Sequence, residues 1–458
     1  MKRRFVFFCN DGFSGPWETL MLLRLQEMVN TLEALDIDVM VVRLSDVTAE
    51  PRSVMSQIRA ARPDAMLSAN FNYLLLALVD LPDLLEQDIP LICLWDDPLW
   101  AVTTFFEPKP NGWGGNRERV YPRGLAGKFR ARRDFKRYVK LTEGAESHAA
   151  GAPSPPPWFK ELMSHRNMRH IAWDSGQVTV LDELGILDAG RVCWHPVATY
   201  SAFLDVGASG EEKPLTADVS FVGNIYLKLL EADARYQAEE SRRLIEDICA
   251  VKTKQLHRPT WKLLVKAMRN AEPMKFSEFF DLYRLMSASA INSLARLAVL
   301  GGINHEVSLY GLFADPDSRE LLARYPNLKF AGEAHHFDEL PKVYAGSQIN
   351  VCVSNGLIHE GTPSKFIDCV AAGGFALCDR KADLVRLFGT DINQILYDNV
   401  EELNQKIDHF LTRPEERQEI ARWMHECVAD RCTLRSLFQT VMACLDNEPS
   451  LNASRQSG

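Results

Sequence analysis

The sequence predicts an α/β protein built twice over: two doubly wound parallel sheets facing a cleft, with a helical insertion in the second. Three observations predict it. Short apolar runs alternate with amphipathic segments through the first 200 residues, the pattern of strand–helix units feeding a parallel sheet. After residue 214 the alternation restarts with a strand-like run over 218–224 that ends in a glycine turn. A strand–loop–helix–strand run over 349–378 then carries two acids eight positions apart, Glu360 and Asp368.

The elements follow in order. Residues 5–9 read as the first strand, 17–35 as a helix, 38–44 as a strand and 54–61 as a helix. Further strands are expected at 65–69 and 90–95. Residues 98–168 break the pattern with Pro, Gly, Trp and Arg, including the extended Pro-rich stretch 151–157. Strands resume at 169–173 and 191–195 around a helix near 177–184. The first domain is thus expected over 1–200. The second is expected over 214–425, with two to four helices inserted over about 226–300. Strands at 306–310, 328–330, 348–353 and 375–379 complete it. Helices at 401–412 and 415–446 end the chain, the last of them (426–447) crossing back to the first domain. The polar final ten residues read as disordered.

Bulk properties bound the function. The chain has 458 residues and a net charge of −9, which argues against nucleic-acid binding as its purpose. Its apolar runs are too short for a membrane span. The apolar run near the start is too short for a secretory leader and reads as a strand. Ten cysteines occur without a Cys-x-x-Cys pair, mostly in apolar settings. Buried free thiols in a reducing cytoplasm fit this better than disulfides or a metal site.

The run from 349 to 378 carries the chemistry. Thr362-Pro363 is a helix start, with Thr as cap and Pro at the first helical position. Ser364, Lys365 and Asp368 then share one helix face by their spacing, while Ile367, Val370 and Ala371 point to the sheet. Free N–H groups at this N-terminus, with Gly361, Thr362, Ser364 and Lys365, suit a diphosphate. Asp368, one turn deeper, suits the two hydroxyls of a ribose. The bland alternative is a capped helix with incidental acids. The opening strand of the second domain ends at Gly223 and Asn224 in a tight turn.

The first domain offers weaker signals. The loop 10–15, ending in Gly15, follows the first strand and precedes a helix, as a plain strand–helix turn would. Asp96 and Asp97 end a buried strand before Pro98, where either carboxylate could orient or deprotonate an acceptor hydroxyl or simply cap nearby N–H groups. His148 precedes the Pro-rich stretch and reads as surface. Residues 116–140 hold ten Lys or Arg against Glu118 and Asp134, with Phe129, Phe135 and Tyr138 interleaved. A solvated helix face is the plain reading; docking on an anionic membrane or acceptor is the sharper one.

The segment 307–387 resembles the group-1 glycosyltransferases of the GT-B fold, and especially their CgeB-like branch. The resemblance is carried by Val-Ser-Leu-Tyr-Gly311, Leu-Lys-Phe-Ala-Gly332, Leu-Pro-Lys-Val-Tyr-Ala345, Gln-Ile-Asn-Val-Cys-Val-Ser354, Glu-Gly-Thr-Pro363 and Phe-Ile-Asp-Cys-Val-Ala-Ala-Gly373. Asp96-Asp97-Pro98 is similar to a run of the same branch. The resemblance implies two Rossmann-like domains and cytoplasmic sugar transfer from a nucleotide-diphosphate sugar. It implies neither an essential metal nor a further cofactor, and retention of anomeric configuration. Glu360 would touch the transferred sugar and Asp368 the ribose. The acceptor would be a glycan, lipid or protein, with 116–140 as a peripheral contact to the inner membrane face. Two departures stand out. Lys365 occupies a position where the branch carries Arg, and Asp replaces Glu at 368. Val-Ser-Phe-Val-Gly-Asn224 also resembles the family's opening strand and turn, which implies that Gly223 lets backbone approach the donor phosphates, and the resemblance puts the loop with Gly15 at the interdomain cleft, near the donor diphosphate or acceptor. The family's basic pair after the opening strand has only Lys228 and Arg235 as candidates. The fold also suits a nucleotide-sugar 2-epimerase or a non-catalytic binding module. The absence of a Gly-x-Gly-x-x-Gly run after either opening strand argues against a nicotinamide or flavin enzyme.

Overall fold

The structure is a computed structural model that describes residues 2–9, 16–43, 46, 50–69, 89–95, 160, 163–209, 216–225, 230–231, 233–270, 276–311 and 322–446. Its strands form two six-stranded parallel sheets. The first contains β1 (Arg3–Cys9), β2 (Ile37–Arg43), β3 (Ala65–Ala69), β4 (Leu91–Leu94), β5 (Met168–Ala172) and β6 (Val192–Trp194). Its order is β2-β1-β3-β4-β5-β6. The second contains β7 (Ala217–Val222), β8 (Val307–Tyr310), β9 (Leu328–Gly332), β10 (Ser347–Cys352), β11 (Ala376–Asp379) and β12 (Leu396–Tyr397). Its order is β12-β11-β10-β7-β8-β9. In this second sheet the strand order reverses between β7 and β10, so their carboxyl ends flank the crevice where doubly wound sheets bind ligands.

β1 shows why the first sheet is buried on both faces. Its Arg-Arg-Phe-Val-Phe-Phe-Cys sequence alternates apolar side chains above and below the pleat. Val6 and Phe8 join a cluster with Ile58, Met66, Leu91 and Cys93. Phe5 and Phe7 join another with Leu67, Ile92 and the C-terminal helix Leu434–Asp446. That helix presents Leu434, Phe438, Val441 and Cys444 at helical spacing, all buried. Each such side chain contributes roughly 1.5–3 kcal/mol by leaving water.

The expected single terminal helix is two, Pro414–Arg431 and Leu434–Asp446. The chain breaks at Cys432-Thr433, where the Thr433 hydroxyl accepts from Ser436 N–H at 3.1 Å and Thr433 N–H donates to the Ser436 hydroxyl at 3.0 Å. The expectation of free cysteines throughout also needs correction. Cys193, on β6, and Cys444, in the last helix, form a disulfide. Residues 251 apart in sequence meet there because the final helix crosses back over the first sheet, which no local spacing reveals.

The insertion holds helices Glu239–Lys254 and Thr260–Ala267 and a long helical run over 276–301. It packs against the first half of the chain as well as the second. Ile245, Trp261, Phe279, Tyr283 and Met286 share one apolar cluster with Trp95, Ala172, Val180 and Leu181. The long run widens to π-helix over 285–295 just before Arg296. No helix among the described residues is long and apolar enough to cross a membrane.

Candidate functional site

The helix after β10 runs Ser364–Ala371, with Pro363 at its cap position. Phe366, Ile367, Val370 and Ala371 are buried on the sheet, as their spacing predicts. Gly373 closes it at φ +80, with Gly373 N–H donating to Val370 C=O and Gly374 N–H to Cys369 C=O. Thr362 does not cap it. The Thr362 hydroxyl instead accepts from Val197 N–H at 2.9 Å, and Pro363 leaves no donor to cap at that point. Ser364 is exposed, Lys365 half-buried and Asp368 buried.

Lys365 reaches back to the carboxyl end of β7. Its Nζ lies 5.8 Å from the centre of the Phe221 ring, and a Cβ added to Gly223 would come within 2.6 Å of it. That Cβ would also meet the Phe221 ring at 2.7 Å, so glycine at 223 leaves room for this approach. The neighbouring turn is as tight. Gly311, at φ +150, leaves no room for a side chain, since a Cβ there would meet the Gly223 carbonyl at 2.2 Å and Asn224 Oδ1 at 3.0 Å. Burial, with Arg296 nearby, lowers the Lys365 pKa to about 7. Arg296 braces the same crevice, donating to Asn224 C=O at 3.0 Å and Val353 C=O at 3.1 Å, its guanidinium 5.5 Å from the Phe221 ring. It arrives from the far end of the insertion, so sequence proximity to β7 gives no hint of it. Arg235, one of two basic candidates for this place, is spent elsewhere: it pairs with Asp233 at 2.7 Å and Asp281 at 3.7 Å. Lys228 lies outside the described residues.

Asp368 accepts from the Thr199 hydroxyl at 2.8 Å. Burial raises its pKa to about 6, against the pull of Thr199, Arg24 and Lys365. Arg24 comes from the first domain, on the helix Pro16–Ala34. It sits 5.2 Å over the Tyr200 ring and 3.4 Å from His336 Nε2. His336 is held neutral, its pKa lowered to about 4 by burial and then Arg24.

Glu360 is placed by a different set of groups. Its Oε2 accepts from Ala382 N–H at 3.1 Å, at the start of helix Ala382–Phe388, and its own N–H donates to Asp174 Oδ1 at 3.0 Å. Asp174 is the centre of the seam between the two halves. It caps helix Ser175–Glu183 through Gly176 N–H (3.0 Å) and Gln177 N–H (3.3 Å), and takes His359 N–H at 2.8 Å. Gln177 Nε2 adds a fifth bond at 3.2 Å. Gly361 packs into the same seam, where a Cβ would meet Asp174 Cβ at 2.6 Å and the Trp173 ring at 2.7 Å. Gly361 and Thr362 thus face the seam, while Lys365, Gly223 and Asn224 gather at the crevice.

Behind Glu360 lies a buried charge cluster. Lys381 pairs with Asp379 at 3.1 Å, and Asp379 accepts from Ser354 N–H at 2.7 Å. Lys252 is buried beside them, its pKa lowered to about 7 by burial and then Lys381. Among the described residues no three His, Cys, Asp or Glu side chains are placed to hold a metal ion. Asp96, Asp97, Gly15, His148 and the basic segment 116–140 lie outside the described residues. At the carboxyl ends of β4 and β5 a cavity of about 80 Å³ is lined by Trp95, Trp173, His195, Tyr200 and Leu437, among others.

Known proteins resemble this chain in its fold and in one segment of its sequence. Residues 288–443 match a family model described as glycosyl transferase-like. Sucrose-phosphate synthase from Thermosynechococcus elongatus superposes with a TM-score of 0.51 at 10% identity, covering 97% of this chain and 99% of that one. HepE from Anabaena, solved with UDP-glucose, gives 0.45 at 12% identity, covering 97% and 99%. A glycosyltransferase from Rickettsia africae gives 0.47 at 10% identity, covering 97% and 98%. No curated protein matches the sequence. The two facing parallel sheets are those of a GT-B protein, and the second carries a glycosyltransferase-like domain. By that match the chain is glycosyltransferase-like over residues 288–443.

Proposed function

We propose that the chain transfers a sugar from a nucleotide-diphosphate sugar to an acceptor hydroxyl. The observation that carries this is the crevice between β7 and β10. There Gly223, Gly311, Lys365 and a helix N-terminus converge with a buried acid one turn further on. Lys365, the helix N–H groups and the charge of Arg296 stabilise the leaving diphosphate. The reading therefore assigns that task to the chain's own cations. Asp368 holds the ribose. Glu360 retains an oxygen beyond its bond to Ala382 N–H and addresses the transferred sugar, with retention of configuration. If Asp97 deprotonates the acceptor, inversion follows instead. The acceptor is a glycan, lipid or protein on the first-domain side, near the cavity of Trp95 and Trp173. The basic segment 116–140 provides a peripheral contact to an anionic membrane face. The CgeB-like branch is the finer family reading, resting on the motifs quoted from the sequence.

The test is calorimetric titration of UDP, GDP, ADP and dTDP against the wild type and three variants, beside donor turnover with and without acceptors. Asp368→Ala removes a hydrogen-bonded charge contact worth roughly 1.5–3 kcal/mol, so affinity falls about tenfold to a hundredfold. Lys365→Ala weakens the diphosphate and spares the unphosphorylated nucleoside. Glu360→Ala spares nucleotide binding and lowers turnover. Absence of binding by any nucleotide to the wild type refutes the donor site. Turnover to free nucleotide and altered sugar without an acceptor favours the epimerase reading.

A further inference from the structure

Asp368 is oriented by a residue from outside its own domain. Thr199 lies between β6 and helix Ser201–Ala208, and is buried. Its backbone is pinned: Thr199 N–H donates to Cys432 C=O at 2.7 Å, and Thr199 pairs with Thr433 in an isolated parallel bridge. Two residues earlier, Val197 N–H donates to Thr362. A hydroxyl on a backbone so fixed can aim its one proton in a set direction. That proton goes to Oδ1 of Asp368.

A carboxylate offers about four lone-pair sites. Thr199 occupies one on Oδ1, and among the described residues it makes the one hydrogen bond to that carboxylate. We propose that Thr199 is the positioning residue for Asp368: its hydroxyl holds one oxygen and so turns the other toward the ribose of the donor. This rests on the donor reading above. It also ties the donor site to the junction of the two C-terminal helices, since Cys432 and Thr433 hold Thr199 in turn.

The groups that face Asp368 set its protonation. Lys365 and Cys369 lie on its own helix, Arg24 on helix Pro16–Ala34, and Tyr344 on helix Leu340–Gly346. Burial pushes the carboxyl up, and Thr199 is the largest force pulling it down. Without the hydroxyl, Asp368 keeps its proton to higher pH and accepts fewer bonds.

The experiment compares Thr199→Val with Thr199→Ser, reading affinity for the tightest-binding of the four nucleoside diphosphates between pH 5 and 9, and donor KM and kcat. Thr199→Val lowers affinity at pH 7 about tenfold and moves the acid limb of binding to higher pH. Donor KM rises while kcat at saturating donor stays within about threefold, as loss of a ground-state contact requires. Thr199→Ser keeps wild-type affinity and acid limb. Circular dichroism and thermal melting check each variant; if Thr199→Val does not fold, Thr199→Ala gives the same reading. Unchanged affinity and acid limb in the hydroxyl-free variant, with Asp368→Ala still weakening binding, overturns the proposal alone. Equal losses in the Ser and Val variants also overturn it, since Ser retains the hydroxyl and would then bind no better than a side chain without one. If Asp368→Ala leaves nucleotide binding intact, the donor reading itself fails.

Discussion

Asp174 offers a perturbation whose effect can be worked oxygen by oxygen. Oδ1 accepts Gly176 N–H, Gln177 N–H and Glu360 N–H, while Oδ2 accepts His359 N–H and Gln177 Nε2. Asp174→Ala removes all five bonds. Loss of the cap costs about 0.5–2 kcal/mol. The two crossing bonds, each to a charged acceptor, are worth roughly 1.5–3 kcal/mol apiece. Together the crossing pair is worth about 3–6 kcal/mol, so local opening of the 356–362 loop rises by about a hundredfold to ten-thousandfold. Asp174→Asn separates the contributions. With its oxygen at the Oδ1 place it still caps the helix, for which Asn is as good as Asp, and still accepts Glu360 N–H. Its NH₂ group then faces His359 N–H and the Gln177 amide, donor against donor. Hydrogen exchange read at single amides by mass spectrometry or NMR decides it. The alanine variant exposes both His359 and Glu360 amides, and the asparagine variant His359 far more than Glu360. Equal protection of His359 in the asparagine variant and the wild type refutes the assignment of oxygens. Wild-type protection in the alanine variant refutes the seam itself.

Two further outcomes follow from named groups. Lys365 titrates near 7 in the free protein, and a bound diphosphate restores it toward its ordinary value, so binding takes up a proton between about pH 7 and 10 and affinity falls as pH rises through that window. Calorimetry in buffers of different ionisation enthalpy at pH 8 detects the uptake, and Lys365→Arg, which stays charged, abolishes it; uptake that persists in the arginine variant assigns the proton elsewhere. The Cys193–Cys444 bond predicts a linked peptide pair in an unreduced digest and a lower melting temperature with reductant or in Cys444→Ser, by an amount matching roughly 2–4 kcal/mol. Two alkylated peptides without reduction would remove the bond from the account.

The alternation of short apolar runs with amphipathic segments made the two sheets legible, because strands of parallel sheets are apolar on both faces and bounded by turns. Ala65–Ala69 is the clearest case, its bounds those read from sequence. The helix Ser364–Ala371 was legible for a similar reason: its spacing is local. What stayed hidden is whatever depends on who meets whom. Asp174 falls just before the helix expected near 177–184, but nothing in the sequence says that its carboxylate takes His359 and Glu360 N–H. Arg296 sits more than seventy residues beyond the strand it serves. Thr199 looks like linker. Cys193 and Cys444 each read as an ordinary buried thiol, since the fold rather than the spacing brings them together.

The crossing of Leu434–Asp446 onto β1 has a consequence for how the chain is made. Phe5 and Phe7 leave the ribosome long before Phe438 and Val441, which help to cover them. Until then that face of the first sheet has Met28 and Leu32 of helix Pro16–Ala34 over it but lacks Leu434, Phe438 and Val441, and the early half is an adhesive intermediate rather than a finished domain. A fragment ending near residue 200 therefore aggregates, and supplying residues 414–446 as a separate peptide rescues it. The protein is bipartite in shape and indivisible in synthesis.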